Sequence, residues 1–77
     1  MKAVEITTEP TELYKILKFE GIVTSGSEAK SAIDDGQVLV NGEVEKRRRK
    51  KIVAGDVIEC MNTRIKIVFQ GSNTHSV

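Results

Sequence analysis

At Gly36 the spacing of apolar residues changes period, and this change constrains the fold more than any other feature of the chain. Before it, Leu13, Ile16 and Leu17 fall at i, i+3 and i+4, as do Ala29, Ala32 and Ile33, the spacing of one buried helix face. After it, Val38 and Val40 alternate with Gln37 and Leu39, the period of a strand buried on one side. Gly36 suits the left-handed residue that ends a helix. The pattern predicts two helices followed by strands, an α+β chain with two N-terminal helices packed on a small, mostly antiparallel sheet.

Local signals place the elements. Lys2 to Thr7 alternates weakly through Val4 and Ile6 and reads as a short edge strand. Thr8, Glu9 and Pro10 read as a helix start, with a side-chain oxygen for the first orphan amides and a proline whose φ is already set. That helix is expected to run to about Phe19, with Gly21 as the break. Ser25-Gly26-Ser27-Glu28 is a capping box for the second helix. Asn41-Gly42 between Val38-Leu39-Val40 and Glu43-Val44-Glu45 predicts a tight hairpin. Further strands are expected at Val57 to Cys60 and Arg64 to Phe69, with turns at Ala54-Gly55-Asp56 and near Met61 to Thr63. Gln70 to Val77 is polar and small, a stretch expected to fray.

Seventy-seven residues are too few to build two cores, so residues 1–77 are expected to form one domain with its core at about 9–69. With 39% apolar residues and only Tyr14, Phe19 and Phe69 as aromatics, that core must be aliphatic. One cysteine and one histidine exclude an internal disulfide framework and a four-ligand zinc site. Cys60 reads as a small buried strand residue, and His75 as inert. No apolar run approaches the roughly 20 residues that cross a bilayer, and Met1 to Glu9 lacks the apolar core of a secretory signal. A cytoplasmic location is expected.

The formal net charge is only +1, but its distribution is uneven. Lys46, Arg47, Arg48, Arg49, Lys50 and Lys51 are consecutive and hold half of the twelve basic residues, leaving six basic against eleven acidic groups elsewhere. A dense basic patch on an acidic body is the asymmetry of a local polyanion site. Lipid binding is disfavoured, because no amphipathic helix with an aromatic apolar face accompanies the run. Catalysis is disfavoured too: Glu9, Glu12, Asp34, Asp35 and Asp56 have no matched His, Cys or Ser partner in a motif, and so short a chain leaves little room for a deep pocket. No catalytic residue, metal, cofactor or small-molecule substrate is expected.

The order and spacing of Ser25, Ser27-Glu28-Ala29, Ile33, Gly36-Gln37-Val38, Val40-Asn41-Gly42, Val44 and Gly55-Asp56-Val57-Ile58-Glu59 resemble the RNA-binding domain named after ribosomal protein S-four. The resemblance covers about Leu13 to Glu59. In length, and at Lys15 to Gly21 and Lys51 to Gly55, the chain is most similar to the stand-alone bacterial YbcJ-type family, regarded as RNA-binding and ribosome-associated. The resemblance implies an alpha-L motif, in which two helices and the following hairpin form a shelf for structured RNA, expected here to be ribosomal. The family's first helix often opens with an Arg-Leu-Asp-like run, where this chain has Glu12-Leu13-Tyr14. Its second helix often opens Ser-Arg-Ser, where this chain has Ser25-Gly26-Ser27. The basic loop then becomes the electrostatic centre. The expected RNA-binding set is Lys15, Lys18, Ser25, Ser27, Lys30 and Lys46, Arg47, Arg48, Arg49, Lys50 and Lys51, on a monomer. The alternative is a protein-interaction adaptor or DNA-binding accessory factor using the same loop. Against DNA, the second helix offers only Lys30 and small residues where a recognition helix would carry base-reading side chains.

Overall fold

The computed structural model describes residues 1–69; the tail expected to fray, Gln70 to Val77, lies outside the described residues. The elements in chain order are β1 (Lys2–Ile6), β2 (Thr11–Glu12), α1 (Leu13–Phe19), α2 (Gly26–Asp34), β3 (Val38–Val40), β4 (Glu43–Val44), β5 (Lys51–Ile52), β6 (Val57–Cys60) and β7 (Thr63–Phe69). Five strands form one sheet in the order β1-β7-β6-β3-β4, and β2 pairs with β5 in a separate two-stranded ladder. The class is α+β, as expected.

Two expectations are corrected. The helices are not N-terminal: β1 precedes them and pairs parallel to the last strand, Val4 opposite Ile67. A parallel pair needs a long crossover, and here everything between the first and last strands supplies it. The alternation noted at Val4 and Ile6 is the inward face of this edge strand, both side chains being buried.

The second correction concerns the start of α1. The chain does not turn helical at Thr8-Glu9-Pro10 but at Leu13, with Glu12 as a cap whose side chain makes no capping hydrogen bond. Thr11 and Glu12 are instead held extended, opposite Ile52 and Lys51. Tertiary pairing outweighs a local start signal of this kind, which is a weak preference.

The capping box forms with one shift. Ser25 Oγ accepts from the Glu28 amide at 3.1 Å, while the Glu28 carboxylate reaches Thr24, accepting from its amide at 2.6 Å and its hydroxyl at 2.8 Å. These bonds hold Glu28 below its usual carboxylate range, the Thr24 amide contributing most. Gly36 ends α2 at φ +78, a conformation that a Cβ would strain. Asn41 and Gly42 both have positive φ, matching the right-handed twist of the β3–β4 hairpin, and Met61 and Asn62 repeat this between β6 and β7.

Leu13, Ile16 and Leu17 from α1 and Ala29, Ala32 and Ile33 from α2 meet Val38, Ile52, Ile58, Ile65 and Ile67 in one buried cluster. No polar or charged residue is buried among the described residues. Truncating a fully buried member such as Leu17 or Ile33 to Ala removes about 2–5 kcal/mol, a large fraction of the stability of so small a core.

Candidate functional site

The basic run does not form a loose loop. Its backbone turns on itself, the Lys50 amide donating to the Arg47 carbonyl at 3.2 Å. Its outward carbonyls then cap α1: the Leu13 amide donates to Lys50 at 3.0 Å and the Tyr14 amide to Arg48 at 3.2 Å. The first amides of a helix lack intrahelical partners, and α1 begins where this loop supplies them. The Glu45 amide donates to Val38 at 2.9 Å, tying the loop's start to the hairpin. Six basic residues are thereby mounted on a backbone fixed at both ends.

Their side chains are not equivalent. Arg47 lays its fork on Glu45, with Nε 2.9 Å from Oε2 and Nη2 3.2 Å from Oε1. Arg48 does the same with Asp34 at the end of α2, Nε 3.2 Å from Oδ1 and Nη2 2.6 Å from Oδ2. The hydrogen bonds from the guanidiniums hold both carboxyls below their ordinary range, against the opposing effect of desolvation. The same bonds raise both guanidiniums. Lys46, Arg49, Lys50 and Lys51 have no ion-pair partner among the described residues. Lys46 lies along Gly36, its Cε within 3.7 Å of where a Cβ would stand, so the loop runs beside the end of α2.

The helix residues divide between two sides of α1. Lys30 of α2 places its ammonium 5.3 Å from the centre of the Tyr14 ring, a cation–π contact. Through Tyr14, whose amide is bonded to Arg48, Lys30 joins the loop. Lys18 follows Tyr14 by four residues and shares its side of the helix. Lys15 instead pairs with Glu12 at 3.5 Å. It lines a groove of about 480 Å³ with Val4, Ile6, Phe19 and Lys51. The structure therefore gathers Lys30, Lys46 and Arg48 around Tyr14 and the end of α2, and sets Lys15 and Lys51 against the groove. Ser25 is a cap, and Ser27 stands exposed in the first turn of α2.

Four of the five acidic residues weighed above as catalytic groups have structural partners, Glu12 pairing with Lys15 and Asp34 with Arg48. Glu9 accepts from the Ala54 amide at 2.7 Å, and Asp56 accepts from the Val53 amide and from Asn41 Nδ2, each at 3.0 Å. Among the described residues no group of three His, Cys, Asp or Glu side chains is arranged to hold a metal, and no helix is long and apolar enough to cross a membrane. Cys60 is buried, and burial, with the Glu28 charge adding to it, pushes its thiol up and away from reactivity.

Sequence reasoning missed three residues of this surface. Tyr14 enters the sequence reading only as one of three dispersed aromatics, Asp34 only as a carboxylate without a catalytic partner, and Glu45 only as a strand residue of the hairpin. For Glu45 a signal existed, since it lies two residues before the arginine it binds. Asp34 and Arg48 are separated by fourteen residues, and no local pattern links them. Asn41 also does more than turn the chain: its Oδ1 accepts from the Val57 amide at 2.9 Å, latching the hairpin to β6.

Comparison with known proteins places this geometry. The S4 domain model matches residues 4–68. The YbcJ protein of Escherichia coli (strain K12) is 47% identical over 57 residues, spanning 74% of this chain and 81% of its own length. A Bacillus subtilis (strain 168) protein named "Probable ribosome maturation protein RlbA" is 39% identical over 56 residues, 73% of this chain and 79% of its own. The solution structure of E. coli YbcJ, described as revealing an alpha-L motif involved in RNA-binding, superposes with a TM-score of 0.68 at 42% identity, covering 88% of this chain and 87% of that one. With the family matched over residues 4–68, from the first strand nearly to the end of the last, and the fold shared with YbcJ, the chain belongs to the S4 domain family.

Proposed function

We propose that this chain is a non-enzymatic RNA-binding module, one domain acting as a monomer in the cytoplasm, that grips structured RNA of the ribosome or its assembly intermediates. The observation that carries the reading is the anchoring of the basic loop: its carbonyls cap α1, so its positive charges are held on a fixed frame beside Lys30 and the end of α2. A rigid set of Lys and Arg suits A-form RNA, whose deep narrow groove hides base edges and leaves phosphate and ribose positions as the readable features. The similarity to YbcJ and RlbA points to the same class of target. Lys30, Lys46, Arg47, Arg48, Arg49 and Lys50 form the centre of the proposed interface. Lys18, Ser25 and Ser27 extend it along the helices, and Lys15 and Lys51 lie at its margin.

Titration of a labelled RNA stem-loop, a sequence variant that keeps its helical shape, and duplex DNA of matched sequence tests this reading. Four to six neutralised phosphates give a slope of log affinity against log salt of roughly −3 to −5. The shape-preserving variant is expected to bind nearly as well as the parent. The DNA is expected to bind markedly less well, through lost groove geometry and 2′-hydroxyl contacts. Equal affinity for RNA and DNA would reduce the surface to an unspecific polycation and favour the accessory-factor alternative.

A further inference from the structure

We infer that Asp34 and Glu45 are specificity-determining residues that occupy the Arg48 and Arg47 guanidiniums as internal phosphate mimics, so that only a ligand presenting several phosphates in the right arrangement displaces them. The inference rests on the proposed RNA-binding reading and adds to it two acidic residues that oppose binding.

Geometry carries the argument. A guanidinium fork engages two oxygens of a carboxylate in the way it engages two oxygens of a phosphate. Two consecutive arginines both do so here, each through Nε and one Nη, to both oxygens of one carboxylate. The two carboxylates come from different elements, one from the end of α2 and one from the residue after β4, so neither pairing follows from the other. Both arginines and Asp34 are exposed and Glu45, whose Oε2 also accepts from the Arg47 amide at 3.0 Å, is partly so; exchange of the guanidinium's partner needs no opening of the core. The Arg48 carbonyl stays bonded to the Tyr14 amide whichever anion its side chain holds, so the loop is not required to refold. An incoming phosphate must replace the carboxylate and tolerate its negative charge nearby. A single nucleotide or a poorly matched strand gains too little from the remaining contacts. A folded RNA that also engages Lys46, Arg49 and Lys30 makes the exchange favourable.

The variants Asp34→Asn and Glu45→Gln test this directly, compared with Asp35→Asn and Glu43→Gln. The latter pair make the same change in net charge at neighbouring exposed positions that have no basic partner among the described residues. Each of Asp34→Asn and Glu45→Gln is expected to raise affinity for duplex DNA and unstructured RNA by about two- to fivefold. It is also expected to steepen the salt slope by somewhat less than one. The gain for the folded RNA stem-loop is expected to be smaller, so discrimination falls. The two control variants are expected to change affinity less than twofold. Elution from a heparin column supplies a readout that needs no RNA target, with Asp34→Asn and Glu45→Gln leaving at higher salt than the controls. If the wild-type chain ignored folded RNA, the proposed function would fail, while the column would still decide whether the carboxylates mask the arginines. Equal elution and equal affinities for the Asp34 and Asp35 variants, and for the Glu45 and Glu43 variants, would overturn the inference and leave only net charge.

Discussion

In the first half of the basic loop Arg47 and Arg48 each rest on a carboxylate, whereas in the second half Arg49, Lys50 and Lys51 have no acidic partner among the described residues. The two halves look alike in sequence, and their available charge differs. What separates them is distance to the carboxylates: the first half passes the end of α2 and the exit of the hairpin close enough for Asp34 and Glu45 to bind its arginines, whereas Lys50 reaches Glu45 only through its charge and Lys51 lies in β5. A count of basic residues therefore overstates the positive charge ready to meet a polyanion, and the surplus lies toward the C-terminal half of the run.

The largest expected effect tests that surplus. Replacing Arg49, Lys50 and Lys51 together with Ala removes three unpaired charges and is expected to weaken folded-RNA binding on the order of a hundredfold near physiological salt, with a slope shallower by about two to three. Replacing Arg47 and Arg48 together is expected to cost less, roughly three- to tenfold, because the released Asp34 and Glu45 no longer have to be displaced. The reverse ranking, measured by the same titration with circular dichroism to confirm folding, would break the comparison.

A smaller effect distinguishes the loop's backbone from its side chains. Leu13 and Tyr14 sit in the first turn of α1, where helix amides ordinarily face water, yet both donate to the loop. In deuterium exchange they are expected to be protected about tenfold or more beyond Gly26 and Ser27, the equivalent positions of α2. That protection is expected to survive in the Arg47→Ala, Arg48→Ala double variant, since carbonyls rather than guanidiniums make the bonds. Smaller still, Ser25→Ala removes the cap of α2 at a cost of about 1 kcal/mol, read as a lowered thermal midpoint.

The features legible in the sequence are those set by neighbours along the chain. The Asn41-Gly42 turn, the glycine stop at Gly36, the Ser25 cap and the strands at Val57–Cys60 and Thr63–Phe69 all follow from local chemistry, and each formed within a residue of its expected place. What was not legible depends on residues far apart. The late start of α1 results from Thr11 and Glu12 pairing with Ile52 and Lys51, about forty positions on, which no capping rule anticipates. The parallel partnership of β1 with β7 joins the two ends of the fold through side chains that look like any short alternating segment. The density of basic residues pointed to the loop, but the division of its charges depends on Glu45, a local neighbour of Arg47, and on Asp34, whose role emerges only when α2 and the loop are brought together.

Mapping amide and side-chain NMR shifts of the intact chain as folded stem-loop RNA is added tests the central claim most directly. The account predicts that the largest changes fall on residues 46–51, on Tyr14, Lys18 and Lys30, and on Asp34 and Glu45 as their arginines change partner, with Lys2 and Lys66 at the far strands unmoved. Changes centred on the groove around Phe19, Val4 and Ile6, with the loop silent, would contradict it.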